Sequence, residues 1–322
     1  MTDIRVFIHT NESQLLGAKV AAYSFKKLSG GKVTADLIEL KNHPVLTSKE
    51  GRTYLRKGRK ATWINSDLQS FSPLRFLPPQ LMSYQGIAIV TDPDVFAVSA
   101  DIAKLGELFD FNQKPIWARQ VNSGKYTGYA KSFFGTSVML LNCAKLTHWK
   151  WDDVIENLFA KKFDYGDWIG LKLEDQASIG ILPDEWNSFD YLDANTKLLH
   201  MTERSTQPWK TGLARDFDTT GELTLKLGTK AISPAFMFRK FKQQMGWVDF
   251  ESGNFYKPHP DPNQQKFFFL LLLECLKENV FDEKYVQHNI ERGFVRPDIM
   301  RVLDTVATQA LEKSSSFPVT NL

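Results

Sequence analysis

A short apolar run that stops abruptly at two carboxylates sets the strongest limit on how this chain folds. Gly86-Ile-Ala-Ile-Val-Thr-Asp92-Pro-Asp94-Val-Phe reads as a buried strand that reaches the edge of its sheet and ends there with Asp92 and Asp94. In an open α/β sheet, ligands bind outside the carboxyl ends of the strands. Two carboxylates on an extended turn suit a hard divalent cation that also holds phosphate oxygens. A bare D-x-D arises by chance about once in a chain of this length. It recurs as Asp216-Phe-Asp218, without an apolar strand before it, and there it reads as a loop. Pro93 stiffens the first turn.

The N-terminal pattern fixes the sheet type. Ile4–Ile8 is a compact β-type run, followed by the polar turn His9-Thr10-Asn11-Glu12. Ser13 to Lys27 reads as a helix that stops at Ser29-Gly30-Gly31, and Val33–Leu40 reads as a second strand. Strand, helix, strand at this spacing predicts a βαβ unit and a parallel sheet. No Gly-rich phosphate loop and no Walker lysine follow the first strand. Dinucleotide enzymes, P-loop NTPases and sugar nucleotidyltransferases are disfavoured on that ground. Nucleotidyl transfer from a sugar-1-phosphate stays as an alternative.

Later segments follow in order. Lys41–Lys60 is basic, with Lys49, Arg52, Arg56, Lys57, Arg59 and Lys60. It reads either as a solvated loop or as a flap over a diphosphate, an anionic acceptor or a membrane surface. Arg75 lies in a Pro-containing helical segment, 72–82. A helix is expected over 99–109 with Ser99 as its cap, a buried strand over 133–142, and helices over 151–159 and 168–179, the last holding Glu174-Asp175-Gln176. Lys197–Met201 reads as a short strand ending at His200, and Pro208-Trp209-Lys210 follows. Beyond Gly212 a loop or hairpin over 213–228 gives way to helical patterns at 231–246, 263–280, 282–292 and 297–312. The division expected is therefore 1–212 and a mainly helical extension, 213–322.

Composition excludes several classes. Of 322 residues, 43% are hydrophobic and 24% charged, as in an ordinary globular protein, and a net charge of +3 gives no reason to expect nucleic acid. Cys143 and Cys275 both sit in apolar runs, which fits buried free thiols in a reducing compartment. The start of the sequence has no signal-peptide core, and the longest apolar run, 267–273, is far too short to span a bilayer. A cytoplasmic location is expected. That run reads as packed core, with an amphipathic interfacial role left open.

Taken together, these pieces resemble the retaining glycosyltransferases of the glycogenin, lipopolysaccharide galactosyltransferase and galacturonosyltransferase-like family. The resemblance rests on an Arg in a Pro-containing helix, strand-D-x-D, a small-residue strand ending Val138-Met-Leu-Leu-Asn142, Asp175-Gln176, Leu182-Pro183…Trp186-Asn187, and His200…Pro208-Trp209. It covers roughly residues 3–212. It implies a GT-A fold, in which a mixed sheet is flanked by helices and binds a nucleotide-diphospho-sugar. It further implies that Asp92, Asp94 and His200 hold manganese or magnesium, that Arg75 lies near the donor, and that Asp175 and Gln176 are the catalytic pair beside the donor sugar. His9, Thr10 and Asn11 would meet the base, and Trp209 and Lys210 the diphosphate end. The donor expected is a UDP-sugar and the acceptor a glycan or a lipid-linked saccharide, with peripheral membrane contact open. The sequence departs from the family pattern in three places. The Gly of the His-containing motif is Glu203, its Lys is Gln207, and the Asn-Ser/Ala-Gly before Val-Met is Gly135-Thr136-Ser137. These departures motivate a second reading, a transferase-like scaffold that no longer catalyses transfer.

Overall fold

The computed structural model describes residues 4–122, 133–217, 225–227 and 230–315. Strand β1 (Ile4–Thr10) leads through a 3-10 turn, Glu12–Gln14, into helix α1 (Leu15–Leu28) and strand β2 (Ala35–Glu39). Helix α2 (Pro44–Thr47) and a hairpin, β3 (Thr53–Arg56) with β4 (Arg59–Thr62), occupy the basic stretch. A long 3-10 segment, Leu68–Phe76, carries Arg75 and runs into α3 (Pro78–Leu81). Strands β5 (Ile87–Thr91), β6 (Val95–Ala97), β7 (Ile116–Val121) and β8 (Phe133–Asn142) follow, then α4 (Trp151–Phe159), α5 (Tyr165–Ile169), β9 (Ile179–Ile181), β10 (Ser188–Phe189) and β11 (Leu198–His200).

The main sheet has the order β2-β1-β5-β8-β7-β9. β1 is parallel to β2 and to β5, as the βαβ pattern requires. β8 runs antiparallel to both β5 and β7, so the sheet is mixed. Both faces are covered. Val6, Ile8, Ile87 and Ile89 face a core built with α1, while Phe7, Ala88 and Val90 face one built with the 3-10 segment, α4 and α5. That is why β5 is apolar at every position rather than alternating. The architecture is the mixed sheet flanked by helices that the resemblance implies.

The C-terminal part is a hairpin, β12 (Leu225–Leu227) with β13 (Lys230–Ile232), and helices α6 (Pro234–Gln244), α7 (Pro262–Lys277), α8 (Glu283–Glu291) and α9 (Ile299–Ser315). Phe268, Phe269, Leu271 and Leu272 of α7 are buried in the same core as Leu16, Val20 and Phe25 of α1. The run 267–273 is thus packed protein interior. Among the described residues no helix is long and apolar enough to cross a membrane. Cys143 and Cys275 are buried free thiols, and burial pushes each up to about 12.

Two helices read from the sequence take another form. Residues 100–107 wind as a 3-10 helix, capped by the Ser99 hydroxyl as expected. The helix expected over 168–179 stops at Ile169, because Leu171 adopts a left-handed φ of 55°. The Asp175 carboxylate then caps a separate 3-10 turn by accepting from the Ala177 N–H.

One close approach links α1 to the D-x-D turn. A Cβ built on Gly17 would lie 2.8 Å from Trp209 Cζ2 and 3.1 Å from the Pro93 carbonyl oxygen. Only a residue without a side chain lets α1 lie against that turn. Gly17→Ala should therefore destabilise the protein by about 1–3 kcal/mol through overpacking. Helix propensity alone predicts a gain of about 1 kcal/mol. Urea unfolding measures the sign, and equal or higher stability would show that the turn has slack.

Candidate metal centre and cavity

The second, smaller sheet builds the site. Its order is β10-β11-β6, and its register sets His200 opposite Val95, next to Asp94. The Met201 N–H donates to the Asp94 carbonyl at 3.0 Å, and the Asp92 N–H donates to the Ser137 carbonyl at 2.9 Å. The D-x-D turn is thus pinned on one side to β11 and on the other to β8. Strand pairing, not sequence proximity, delivers the imidazole to the carboxylates. Ligand atoms of Asp92, Asp94 and His200 all lie within 4.8 Å of one another, and all three residues are buried.

Each of the three side chains is held by others. The Asp92 carboxylate takes a fork from Arg75, whose Nε donates to Oδ1 at 2.9 Å and whose Nη2 donates to Oδ2. His9 Nε2 stands 2.5 Å from the same Oδ1, and the Arg75 Nη1 donates to Thr136 Oγ1 at 3.0 Å. Burial would raise the Asp92 carboxyl, but Arg75 first and then His9 hold it well below the usual carboxylate range. Burial keeps His9 below its ordinary value in spite of Asp92.

His200 and Asp94 form the open side. The His200 Nδ1 meets Asn187 Oδ1 at 3.0 Å, and Asn187 Nδ2 donates to Ser137 Oγ at 3.1 Å. In that orientation Asn187 accepts, so Nδ1 carries the proton and Nε2 turns to Asp94 Oδ1, 3.4 Å away. Burial would lower the imidazole, but Asp94 outweighs it and raises the value. Asp94 Oδ2 accepts from Gln207 Nε2 at 3.0 Å, and Gln207 Oε1 accepts from Gln14 Nε2 at 2.9 Å. Asp94 Oδ1 is buried and has no hydrogen-bond partner among the described residues. An orphaned carboxylate oxygen beside an imidazole nitrogen fits a cation, which would satisfy both.

These groups open onto a cavity of about 1210 Å³. Asp92, Asp94, His200, Arg75 and Gln207 line its floor, with Thr136 and Ser137 beside them. Arg56, Lys57 and Gly58, at the tip of the β3–β4 hairpin, form one rim. The hairpin is docked there by the Lys57 and Gly58 N–H groups, which donate to the Asp164 carboxylate at 3.1 and 2.8 Å. Phe189, Lys172 and Arg204 also line the cavity, with Asp164 and Asp167.

Several residues singled out from the sequence stand elsewhere. Asp175 and Gln176 are exposed and do not line the cavity. Asp175 caps its own turn, and the Gln176 amide donates to the carbonyls of Leu171 and Glu174. Trp209 is a core ring, stacked on Phe268 with centroids 4.7 Å apart. Lys210 is buried and donates to Asp216 Oδ2 at 2.6 Å, so its charge is spent within the fold. Asp216 also accepts from the Tyr256 hydroxyl at 2.5 Å. Asp218 lies outside the described residues. Thr10 ends β1, and Asn11 caps the turn after it as a structural clamp whose amide donates to the carbonyls of Asp67 and Leu68. Gln14 is missed from sequence, and Asn187 and Thr136, named there only within motifs, gave no sign of the partners they hold; an amide or hydroxyl does not show in the chain what it will face.

A scan of protein families finds no match to this chain, and no curated protein sequence matches it. Among solved structures it is similar to the apo form of WbbM, a bifunctional glycosyltransferase, at 14% identity and a TM-score of 0.44; 65% of this chain covers 47% of that one, so it spans about half that length. It is also similar to the galactosyltransferase LgtC solved with donor and acceptor sugar analogues, at 12% identity and a TM-score of 0.42, over 64% of this chain and 89% of that one. The glycosyltransferase GlyE of Streptococcus pneumoniae matches 87% of this chain and 64% of its own, at 13% identity and a TM-score of 0.45.

The Gln14–Gln207–Asp94 relay has a measurable consequence. Gln207→Leu leaves the Gln14 amide and one Asp94 oxygen buried without that partner, and should cost about 1–3 kcal/mol. Gln14→Leu in the same background should cost less than it does alone. A double-mutant cycle in urea should return a coupling of at least about 0.5 kcal/mol, and additive effects would show that the two amides act independently.

Proposed function

We propose that this protein is a metal-dependent glycosyltransferase that moves a sugar from a nucleoside-diphosphate donor, UDP-linked, to a glycan, glycoside or lipid-linked saccharide. The observation that carries this reading is the unpartnered Asp94 Oδ1 beside His200 Nε2, on the floor of a cavity of about 1210 Å³. Asp92, Asp94 and His200 would hold the ion, manganese by preference because an imidazole joins the carboxylates, otherwise magnesium. When bound, it would stabilise the negative charge that gathers on a diphosphate leaving group.

The chain's own residues prepare that chemistry. Arg75 and His9 keep Asp92 ionised in a buried place. Asn187 fixes the His200 tautomer so that Nε2 faces the carboxylates. Gln207 holds one oxygen of Asp94 and leaves the other open. Arg56, Lys57 and Arg204 line the cavity as cations that could meet an anionic donor, while Lys172 is paired with Asp167 at 2.7 Å. With Lys210 committed to Asp216, Arg75 is the cation nearest the candidate ligands. Peripheral contact with a membrane belongs to the same reading, since lipid-linked acceptors sit there.

A second reading is a non-catalytic transferase-like scaffold. It is favoured by one observation: Asp175 and Gln176, the pair implied for the donor sugar, stand outside the cavity. Slow release of UDP from a UDP-sugar would exclude it.

The test is thermal. UDP should raise the melting temperature by a few degrees in the presence of manganese and leave it unchanged in EDTA; ligand at a hundred times its Kd supplies about 2.7 kcal/mol of linkage. Asp94→Asn should fold and lose the manganese-dependent shift. Protection by UDP that is independent of metal would sink the role given to Asp92, Asp94 and His200.

A further inference from the structure

Helix α6 and the residues after it are built inside out. Met237, Phe238, Phe241 and Met245 are 55%, 58%, 47% and 52% exposed, and Trp247, just beyond the helix, is 59% exposed. These positions, spaced by one, three and four, share one helix face. The polar side chains turn inward instead. Arg239 is 5% exposed and donates to the Arg215 carbonyl, and Gln243 Oε1 accepts from the Ala214 N–H at 2.7 Å. Lys240 Nζ is 3.4 Å from the Gly293 carbonyl oxygen. The helix is therefore clamped to the protein by its polar side and presents its apolar side outward. Isolated exposed apolar residues are ordinary, but a contiguous aromatic patch marks an interaction surface.

The charges around the patch decide what covers it. Between residues 223 and 248 the sequence has no Asp or Glu, and while Arg239 and Lys240 belong to the inward clamp, Lys242 stands at the exposed face. Lys242 Nζ lies 4.9 Å above the Phe238 ring, beside the exposed face. Asp249 and Glu251 come only at the far end, where Asp249 caps its own turn and Glu251 stands 3.8 Å from Lys257 Nζ. Protein–protein interfaces favour aromatic residues, methionine and arginine but are poor in lysine. Phenylalanine and tryptophan on one face, a lysine alongside and no acidic residue in the segment make up a helix suited to an anionic lipid surface, where the rings enter the headgroup boundary and a lysine reaches the phosphates.

We propose that the outer face of α6, with Trp247, docks this protein on an anionic lipid bilayer. This gives the membrane contact of the proposed function a definite place, and rests on that part of the reading only. The anchor is rigid, because α6 is bonded to the segment 214–215, which follows directly on the Pro208–Lys210 turn after the cavity wall.

Co-sedimentation of the full chain with vesicles tests this, using phosphatidylcholine alone or mixed with phosphatidylglycerol, and no donor or metal present. Binding to the anionic vesicles is expected, with at least a tenfold weaker association with phosphatidylcholine alone and at high salt. Phe238→Ser with Phe241→Ser should abolish binding and keep the wild-type melting temperature, and Lys242→Glu should weaken it severalfold. The manganese-dependent UDP shift, read without vesicles, should survive in all three, so docking and the transfer reading fail separately. No vesicle binding by the wild type, or equal binding by the double variant, overturns the proposal. So does a wild-type dimer in sedimentation velocity that the double variant breaks while vesicles bind neither, since the patch would then meet a second copy of the chain.

Discussion

The site depends on one pairing, that of β6 with β11. β6 begins immediately after Asp94, and β11 ends at His200, so a single register sets the imidazole against the carboxylate. Slipping that register by one residue would turn His200 to the opposite face, because side chains alternate along a strand. The backbone bonds Met201 N–H to Asp94 carbonyl and Asp92 N–H to Ser137 carbonyl tie the same turn to two different strands. The bare glycine of α1 beneath Pro93 closes the third side. A carboxylate pair held so firmly has no freedom to spread apart when its charges repel.

The cost of that arrangement argues for its purpose. Asp92, Asp94, Arg75, His9 and His200 are withdrawn from water together, and desolvating buried ions costs several kcal/mol each before their attraction repays it. Apolar residues of similar volume would fill the space as well or better for stability alone. The fork from Arg75 offsets the cost at Asp92. At Asp94 Oδ1 only the His200 imidazole, 3.4 Å away, offsets it, and no hydrogen bond is made. A buried carboxylate oxygen with no hydrogen-bond partner, facing an imidazole nitrogen at the cavity, suits a partner with positive charge, which is why the metal reading rests on geometry and not on the D-x-D alone.

What could be read in the sequence follows the range of the forces involved. β1, α1, β2, β5 and β8 were legible because burial writes its period into neighbouring residues. Asp92 and Asp94 were legible as a pair on a turn, but nothing in the spacing joins them to His200; that link came from resemblance to a family, since strand pairing across such a separation leaves no local trace. Asp175, Gln176, Trp209 and Lys210 stand away from the metal-ligand cluster for a shared reason. A motif names a residue, whereas the local backbone aims it. The left-handed Leu171 ended one helix early and left Asp175 to cap a turn, and Asp216 drew Lys210 into the interior. Gln14 carried no sign at all, and Asn187 stood in a motif without a sign of the histidine it holds, because an amide's role is set by what it faces.

The two aromatic helices of the C-terminal region show the same limit from the other side. Phe267–Leu273 in α7 and Met237–Trp247 around α6 are both rich in large apolar residues, and composition cannot rank one as core and the other as surface. Their partners can. α7 lies against α1, whose small residues Gly17, Ala18 and Ala21 let helices and rings approach closely, and its phenylalanines are covered by Trp209 and Phe96. α6 follows a hairpin and meets the protein through Arg239, Lys240 and Gln243, so the side that would normally seek water is the side that is bonded. Once the polar face is fixed inward, the phenylalanines have nowhere to go but out. A helix with that orientation is stable in water only because its polar clamp is good, and the apolar face it leaves open gains free energy from whatever removes it from water.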